Sequence, residues 1–316
     1  MEFDLIARIR DRCAHRRSDV TLGIGDDAAL LDVPPGRHLV ACTDTLVAGK
    51  HFPAATAPGD VGWKSLAVNL SDLAAMGAEP AWVLLALTLP DAEAQFVERF
   101  ADGFAALAGK HAVALIGGDT TQGPLSVTVT ALGVIPAGEA MTRGGARAGD
   151  AVFVTGTLGD AAGALGLLLD GRFASAALLA RLNRPEPRIA AGLALRGLAS
   201  ACIDVSDGLL ADLGHVCVAS EVGAELDAGA LPLSSSLMAN FDGGARRQFA
   251  LAGGDDYELC FTVPHESEDR IAPTLAAVGC GATRIGRIVK GSGVRVLDAD
   301  ANPIEIVHAG WEHFSQ

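Results

Sequence analysis

Residues 126–135, SVTVTALGVI, set Val127, Val129 and Ala131 at every second position. Successive side chains of an extended chain point to opposite sides, so this spacing reads as a strand with one face on a core. Working back, residues 112–116 form another apolar run that stops at Gly117-Gly118-Asp119-Thr120. Before it lie a helical stretch over 91–110, a strand over 81–89 closed by Pro90, and a helix over 58–76. Pro58 near the start of that helix and Gly77 just past its end are residues that open and close helices, and Leu66, Leu70 and Leu73 make its core stripe. Two further strands, 28–33 and 38–43, flank Pro34-Pro35-Gly36 and read as a hairpin whose second arm delivers Asp44 at its exit. Ile6, Ile9 and Cys13 recur at helical spacing ahead of them. The order β-β-α-β-α-β-β predicts an α+β layer of helices on a mixed sheet.

A glycine-rich, apolar-poor stretch, residues 143–150, then breaks the pattern and marks a domain boundary. It divides the chain into an amino-terminal α+β domain, 1–140, and a carboxy-terminal α/β domain, 141–316. The second half reads as a strand over 151–155, a Gly156-Thr157-Leu158-Gly159-Asp160 turn into an Ala/Leu helix, helices near 174–182 and 186–199, and a strand over 201–205. Ser206 is placed to cap a helix running to about residue 220. Gly253-Gly254-Asp255-Asp256-Tyr257 feeds a strand over 259–263, followed by a helix over 266–278 and strands over 284–289, 294–297 and 304–307.

With 316 residues, half of them hydrophobic, the chain can bury two cores without disulfides or a structural metal. A formal charge of −14 argues against a nucleic-acid or anionic-membrane partner. An acidic site can still bind phosphates through divalent cations. Cys13, Cys42, Cys202, Cys217, Cys260 and Cys280 form no C-x-x-C pair and read as buried, reduced thiols. Glu2, Asp4 and Arg8 stand where a signal peptide would be apolar, and no uninterrupted apolar stretch could span a bilayer, so a cytoplasmic protein is expected.

Aspartates recur behind apolar runs, at Gly23-Ile24-Gly25-Asp26-Asp27, Thr43-Asp44, Gly118-Asp119, Asp204-Val205-Ser206-Asp207 and Gly254-Asp255-Asp256. Asp72, three residues from Asn69, lies near the apolar stripe of its helix. A buried carboxylate needs a partner, which a cation can supply. Asp, Thr and main-chain carbonyls are hard oxygen donors suited to Mg²⁺, and no His/Cys cluster favours zinc or copper. Mg²⁺ bridging phosphates points to phosphoryl transfer or another nucleotide-driven reaction. The same aspartates would equally serve as turn and helix caps. Gly59-Asp60-Val61-Gly62-Trp63-Lys64-Ser65 imitates a P-loop, but Trp63 stands where the second glycine belongs, so the segment is assigned to the helix. Gly156 to Asp160 lacks the full dinucleotide fingerprint and is read as a structural turn.

Taken in order, Ile24-Gly25-Asp26-Asp27-Ala28, Thr43-Asp44, Gly49-Lys50-His51-Phe52, Val61-Gly62-Trp63-Lys64, Asn69-Leu70-Ser71-Asp72, Gly117-Gly118-Asp119-Thr120, Asp204-Val205-Ser206-Asp207-Gly208-Leu209, Gly253-Gly254-Asp255-Asp256-Tyr257-Glu258-Leu259 and Gly310-Trp311-Glu312-His313-Phe314 closely resemble the thiamine-monophosphate kinases. That family belongs to the aminoimidazole ribonucleotide synthetase superfamily. The resemblance implies the two-domain architecture, a homodimer formed through the first domain, and ATP-dependent phosphorylation of thiamine monophosphate by direct in-line attack. By position it implies several Mg²⁺ ions on Asp27, Cys42, Thr43, Asp44, Asp72, Asp119, Asp204 and Asp207, with Asp44, Asp119 and Asp207 as the catalytic set. Gly118, Asp119, Arg143 and Ser206 would meet ATP, and His51, Asp255 and Trp311 would meet thiamine monophosphate.

Two anionic phosphates can react only if cations lie between them, which suits a ring of aspartates, and the attacking oxygen needs no general base because it is already ionised. Trp311 offers a flat face to a cationic ring. The chain departs from the family at three places. Cys42 replaces a hydroxyl residue, Asp255 stands where the family commonly has Glu, and the aromatic beside adenine falls near Ala101, with Phe100 and Phe104 as the nearest rings. Competing readings are an ATP-using synthetase or maturation enzyme of the superfamily and a non-catalytic nucleotide-sensing module. The terminal Gly-Trp-Glu-His-Phe speaks against the synthetase.

Overall fold

The computed structural model describes residues 2–13, 17–306 and 310. The chain forms two compact units, Met1–Leu73 with Ala78–Gly138, and Ala74–Gly77 with Glu139–Gln316. The first carries α1 (Glu2–Arg12), β1 (Val20–Leu22), β2 (Leu30–Leu31), β3 (Arg37–Val47), most of α2 (Pro58–Ala75), β4 (Glu79–Leu89), α3 (Ala94–Lys110), β5 (Ala114–Gln122) and β6 (Ser126–Pro136). Its main sheet has the order β3-β6-β4-β5, with β4 and β5 parallel and the other neighbours antiparallel. Val127, Val129 and Ala131 are fully buried, as the alternation requires. So are Leu66, Leu70 and Leu73 of α2 and Phe100, Phe104 and Leu107 of α3.

The glycines of the false P-loop have a packing role. A Cβ on Gly62 would lie 2.1 Å from the Phe100 carbonyl oxygen, and one on Gly103 would lie 1.8 Å from that of Gly59, so α2 and α3 touch backbone to backbone. Lys64 is 2% exposed and donates to the His51 carbonyl at 3.3 Å, away from any phosphate role. Phe100 and Phe104 stack in this core with centroids 6.2 Å apart and no exposed surface, which removes both as platforms for an adenine.

Three expectations for this unit are corrected. The 28–33 and 38–43 runs do not pair: β2 pairs with β1, while β3 runs antiparallel to β6 over its whole length. The longer, better-matched ladder captures β3, and Thr43 and Asp44 therefore lie inside the strand and not at its exit. Residues 117–120 are no terminal turn but part of β5. A register shift opposite Val83 and Leu84 and a φ of +149° at Gly118 let the strand pass the glycines without ending.

The second unit is built on β7 (Ala151–Thr155), α4 (Asp160–Leu169), α5 (Ala176–Asn183), α6 (Ile189–Leu195), β8 (Ala201–Asp204), α7 (Leu209–Ser220), β9 (Gly223–Asp227), α8 (Ser235–Asn240), α9 (Gly243–Ala252), β10 (Leu259–Val263), α10 (Glu268–Ala276), β11 (Ala282–Val289) and β12 (Gly293–Leu297). The sheet order is β12-β9-β11-β7-β10-β8, mixed because β12 and β9 are parallel while the other neighbours are antiparallel. Val152, Val154, Ile203, Leu209, Leu213 and Val216 meet in its core. The sequence pattern did not mark β9, α8 or α9. Ser234 and Asp242 cap the two helices, accepting from Leu237 and Ala245 amides at 3.0 and 2.9 Å. Of the 304–307 run, residues 304–306 form no strand, the Ile304 amide donating to the Val296 carbonyl at 2.8 Å beside a bridge between Leu297 and Pro303, and Val307 lies outside the described residues. Of the six cysteines, all unpaired, Cys42 alone is half-buried rather than buried.

Candidate active site

In the first unit the candidate donors ride on β3, α2 and β5, apart from Asp27 on the turn between β1 and β2. Cys42 and Asp44 alternate with Thr43, so they share the face of buried Leu46. The Cys42 thiol donates to the Asn69 carbonyl on α2 at 3.3 Å. Burial, then the carboxylates of Asp72 and Asp44, push this thiol far above its ordinary range. Cys42 is thus a protonated thiol beside two carboxylates. Thr43 lies on the opposite face, its hydroxyl donating to the Val129 carbonyl at 3.1 Å and sharing a 3.0 Å hydrogen bond with Thr130. Thr45 and Thr128 repeat that pairing at 2.8 Å.

Register carries the site across the sheet. Asp44 is level with Val129, Leu85 and Gly118, so Gly118 is three strand steps from Asp44, about 14 Å at about 4.8 Å per step. Asp119, the next residue of β5, is exposed and level with Ala86, Thr128 and Thr45, on the sheet face opposite that of Asp44. Gly118 has no room for a side chain, because a Cβ there would lie 1.8 Å from the Leu85 carbonyl oxygen. Asp26 and Asp27 are exposed between β1 and β2, and the Asp26 carboxylate accepts the Asp27 amide at 2.8 Å, leaving Asp27 as the carboxylate not used by the turn. His51 accepts the Val47 amide at Nδ1, 2.9 Å away, so its neutral ring carries the proton on Nε2.

In the second unit the donors sit on turns. Asp204 ends β8 and is 5% exposed, and Ser206 and Asp207 follow it. The cap expected of Ser206 on α7 is not formed. Gly208 holds the cap position with φ +124°, and the buried Asp212 carboxylate reaches back to accept the Ser206, Asp207 and Gly208 amides. Burial, then Asp204 and Asp207, raise the Asp212 carboxyl to about 7. The 253–258 segment zips onto this turn. Asp255 donates its amide to the Ser206 carbonyl and Tyr257 to that of Val205, each at 2.8 Å, and both residues have positive φ, +61° and +50°. The Tyr257 hydroxyl donates to Asp255 Oδ1 at 2.9 Å. Arg143 is exposed, on a loop held by Ser220, whose hydroxyl donates to the Arg143 carbonyl and accepts the Gly145 and Ala146 amides. Gly310 lies against this turn, since a Cβ there would fall 2.9 Å from the Asp207 carbonyl oxygen. Trp311 lies outside the described residues.

A buried ionic cluster beneath these turns escaped the sequence reading. Glu258 has no exposed surface and takes Arg188 through both oxygens at 2.6 and 2.7 Å, Arg181 at 2.8 Å and the Thr155 hydroxyl at 2.6 Å. Burial alone would raise its carboxyl, but the bonds and charges of Arg188, the charge of Arg181 and the Thr155 hydroxyl bring it below the ordinary value. Buried Asp256 accepts the Gly159 amide at both oxygens, 2.9 and 3.0 Å, and burial outweighs Arg181 to hold this carboxyl well above its usual range. Arg181 also donates to the Thr157 and Asp256 carbonyls. The signal was present in the terminal Glu of Gly-Gly-Asp-Asp-Tyr-Glu, but its arginine partners lie about seventy residues away in the chain, at separations of 70 and 77.

The donor chemistry fits Mg²⁺. Among the described residues no three His, Cys, Asp or Glu side chains converge to hold a metal. Each unit instead brings a carboxylate pair near one titrating group, Asp44 and Asp72 about Cys42, Asp204 and Asp207 about Asp212. That suits an ion which commonly takes one or two carboxylates and completes its shell with water and phosphate oxygens.

Residues 25–135 match the model of the AIR synthase related protein, N-terminal domain, and residues 147–299 that of the C-terminal domain. The thiamine-monophosphate kinase of Escherichia coli K12 is 46% identical over 99% of this chain and 98% of its own length. The crystal structure of thiamine-monophosphate kinase from Stenotrophomonas maltophilia K279a superposes with a TM-score of 0.89 at 51% identity, covering 96% of this chain and 98% of that one. AaThiL complexed with AMPPCP and TMP matches 99% of this chain and 97% of its own, with a TM-score of 0.79 and 35% identity. Motifs, fold and relatives agree: the chain belongs to the AIR synthase related proteins and, among them, to the thiamine-monophosphate kinase family.

Proposed function

We propose that this enzyme transfers the γ-phosphoryl group of ATP to the phosphate of thiamine monophosphate, giving thiamine diphosphate and ADP. The observation that carries the reading is the full-length likeness to a relative complexed with AMPPCP and TMP. Mg²⁺, when bound, would offset the charge of the two phosphates and stabilise the transferring group. Several Mg²⁺ ions are assigned: in the first unit Asp27, Cys42, Thr43, Asp44, Asp72 and Asp119 would hold them, in the second Asp204 and Asp207, with Asp44, Asp119 and Asp207 as the catalytic set. Cys42 and Thr43 are the weak members: Mg²⁺ prefers oxygen to a thiol, and Thr43 faces away from Asp44 with its hydroxyl engaged by the Val129 carbonyl and Thr130.

ATP is assigned to Gly118, Asp119, Arg143 and Ser206, and thiamine monophosphate to His51, Asp255 and Trp311. His51 brings an Nε2–H donor. Tyr257 steadies one oxygen of Asp255, which favours a fixed carboxylate despite the side chain's shorter reach. Transfer is in-line and needs no general base, since the accepting phosphate oxygen is already ionised. A cytoplasmic homodimer formed through the first unit completes the reading. Its support is the face of the β3-β6-β4-β5 sheet carrying Leu39, 50% exposed, and Leu84, 37% exposed. No helix of the described residues is long and apolar enough to cross a membrane.

Purified protein given ATP, Mg²⁺ and thiamine monophosphate should release ADP and thiamine diphosphate, and chelation with EDTA should stop it. ATP binding without turnover, or an aminoimidazole ribonucleotide product from the matching precursor, would overturn the assignment.

A further inference from the structure

Asp212, in the first turn of α7 and 3% exposed, has no place in the ligand set assigned to Asp204 and Asp207. One of its oxygens, Oδ2, accepts the amides of Ser206 at 3.0 Å, Asp207 at 3.1 Å and Gly208 at 3.1 Å. Three main-chain donors converging on one side-chain oxygen fix three consecutive peptide planes. An oxygen so engaged has its lone pairs committed and is a poor ligand for a cation.

The rest of the turn is fixed from the other side. The Ser206 carbonyl accepts the Asp255 amide at 2.8 Å, and the Val205 carbonyl accepts that of Tyr257. A Cβ on Gly254 would lie 2.6 Å from the Ser206 carbonyl oxygen, and one on Gly208 would lie 2.9 Å from the Ala252 backbone. Carbonyls are thus held by the 253–258 segment and amides by Asp212. Asp207 sits in the middle of the three amides, so the direction of its Cα–Cβ bond follows from the plane that Asp212 sets.

We infer that Asp212 is a positioning residue: by gathering the Ser206, Asp207 and Gly208 amides onto one oxygen it aims the Asp207 carboxylate at a divalent cation. The purpose of that cation rests on the kinase reading, but the test does not need turnover. A residue that merely capped α7 would, when replaced, lower stability and leave metal affinity alone. A positioning residue moves metal affinity in a folded protein, and partners that orient metal ligands typically change affinity or activity by about 10–100-fold.

The test is Asp212→Leu in the full chain, which keeps the volume but offers the three amides no acceptor, with Mn²⁺ as the probe. Free Mn²⁺ followed by electron paramagnetic resonance should show the variant binding at least about tenfold more weakly than the wild type, with circular dichroism unchanged. Turnover lost at low Mg²⁺ should partly return at high Mg²⁺, with KM for thiamine monophosphate unmoved. A folded variant with wild-type Mn²⁺ affinity overturns the inference. Hydrogen exchange of the wild type decides the matter even if the variant does not fold: amides 206–208 should be protected without metal, and rapid exchange until Mn²⁺ is added would mean that the cation, not Asp212, organises the turn. A wild type that binds Mn²⁺ but makes no thiamine diphosphate would fail the kinase reading and leave the Asp212 result standing.

Discussion

The two units mount their acidic residues in different ways. In the first, Cys42, Asp44 and Asp119 belong to strands and Asp72 to a helix, so the ordinary backbone ladder sets their positions. In the second, Asp204, Ser206, Asp207 and Asp255 lie at or beyond a strand end, on turns whose shape depends on Asp212, on positive φ angles and on the Glu258 ion cluster below. A ladder tolerates the loss of one side chain because its hydrogen bonds are main-chain. A turn held by buried charges does not.

The largest effect should therefore come from outside the ligand set. Glu258→Ala takes from Arg188 and Arg181 their closest buried carboxylate, leaving Arg181 beside Asp160 at 4.0 Å, and urea unfolding should show a loss of about 3–5 kcal/mol. A loss below about 1 kcal/mol would erase the contrast between the units. Asp44→Asn should do the reverse, keeping wild-type stability within about 1 kcal/mol while turnover falls roughly 100–1,000-fold. Near-normal turnover at limiting Mg²⁺ would remove Asp44 from the metal site.

Acid should sharpen the comparison. The Glu258 carboxyl is lowered in the folded chain, so its contribution is whole above the unfolded value near 4.5 and is lost as pH falls through the folded value. Denaturation profiles below pH 4.5 should be steeper for the wild type than for Glu258→Gln. Asp256 acts with opposite sign. Its raised carboxyl makes folding less favourable as pH climbs above the unfolded value near 3.8, because the unfolded chain ionises first. Asp256→Asn should accordingly lose less stability at neutral pH than Glu258→Gln. The smallest effect belongs to Thr45→Val, which deletes one exposed hydroxyl pair of the first sheet and should cost about 0.2–1 kcal/mol with turnover unchanged.

The same difference decides how much the sequence could reveal. Strands and helices of the first unit are legible because Val127, Val129 and Ala131, or Leu66, Leu70 and Leu73, repeat with the period of their element. Pairing is less legible, since a short apolar run such as Leu30–Leu31 does not say whether β1 or β3 is its neighbour. Candidate site residues were found through motifs recognisable in order, above all the aspartates. Their supports were not. Arg181 and Arg188 look like ordinary helix residues until tertiary contacts bring them against Glu258, 77 and 70 residues away, and Asp212, though only six residues from Ser206, reads as one more helix residue and not as the acceptor of the turn's amides.

Gly118 shows how such supports should be read among relatives. Its missing side chain leaves room for the Leu85 carbonyl oxygen, 1.8 Å from where a Cβ would stand, and its φ of +149° is closed to nearly every other residue. Mutation at this codon has no tolerated destination, whatever the neighbouring surface binds. On the proposed metal role of Asp119, descendants of this gene that lost their substrate but kept their fold would still carry glycine at 118, whereas Asp119 would be released to drift. Where the two positions part company in a lineage, the pair dates the loss of chemistry against the persistence of architecture.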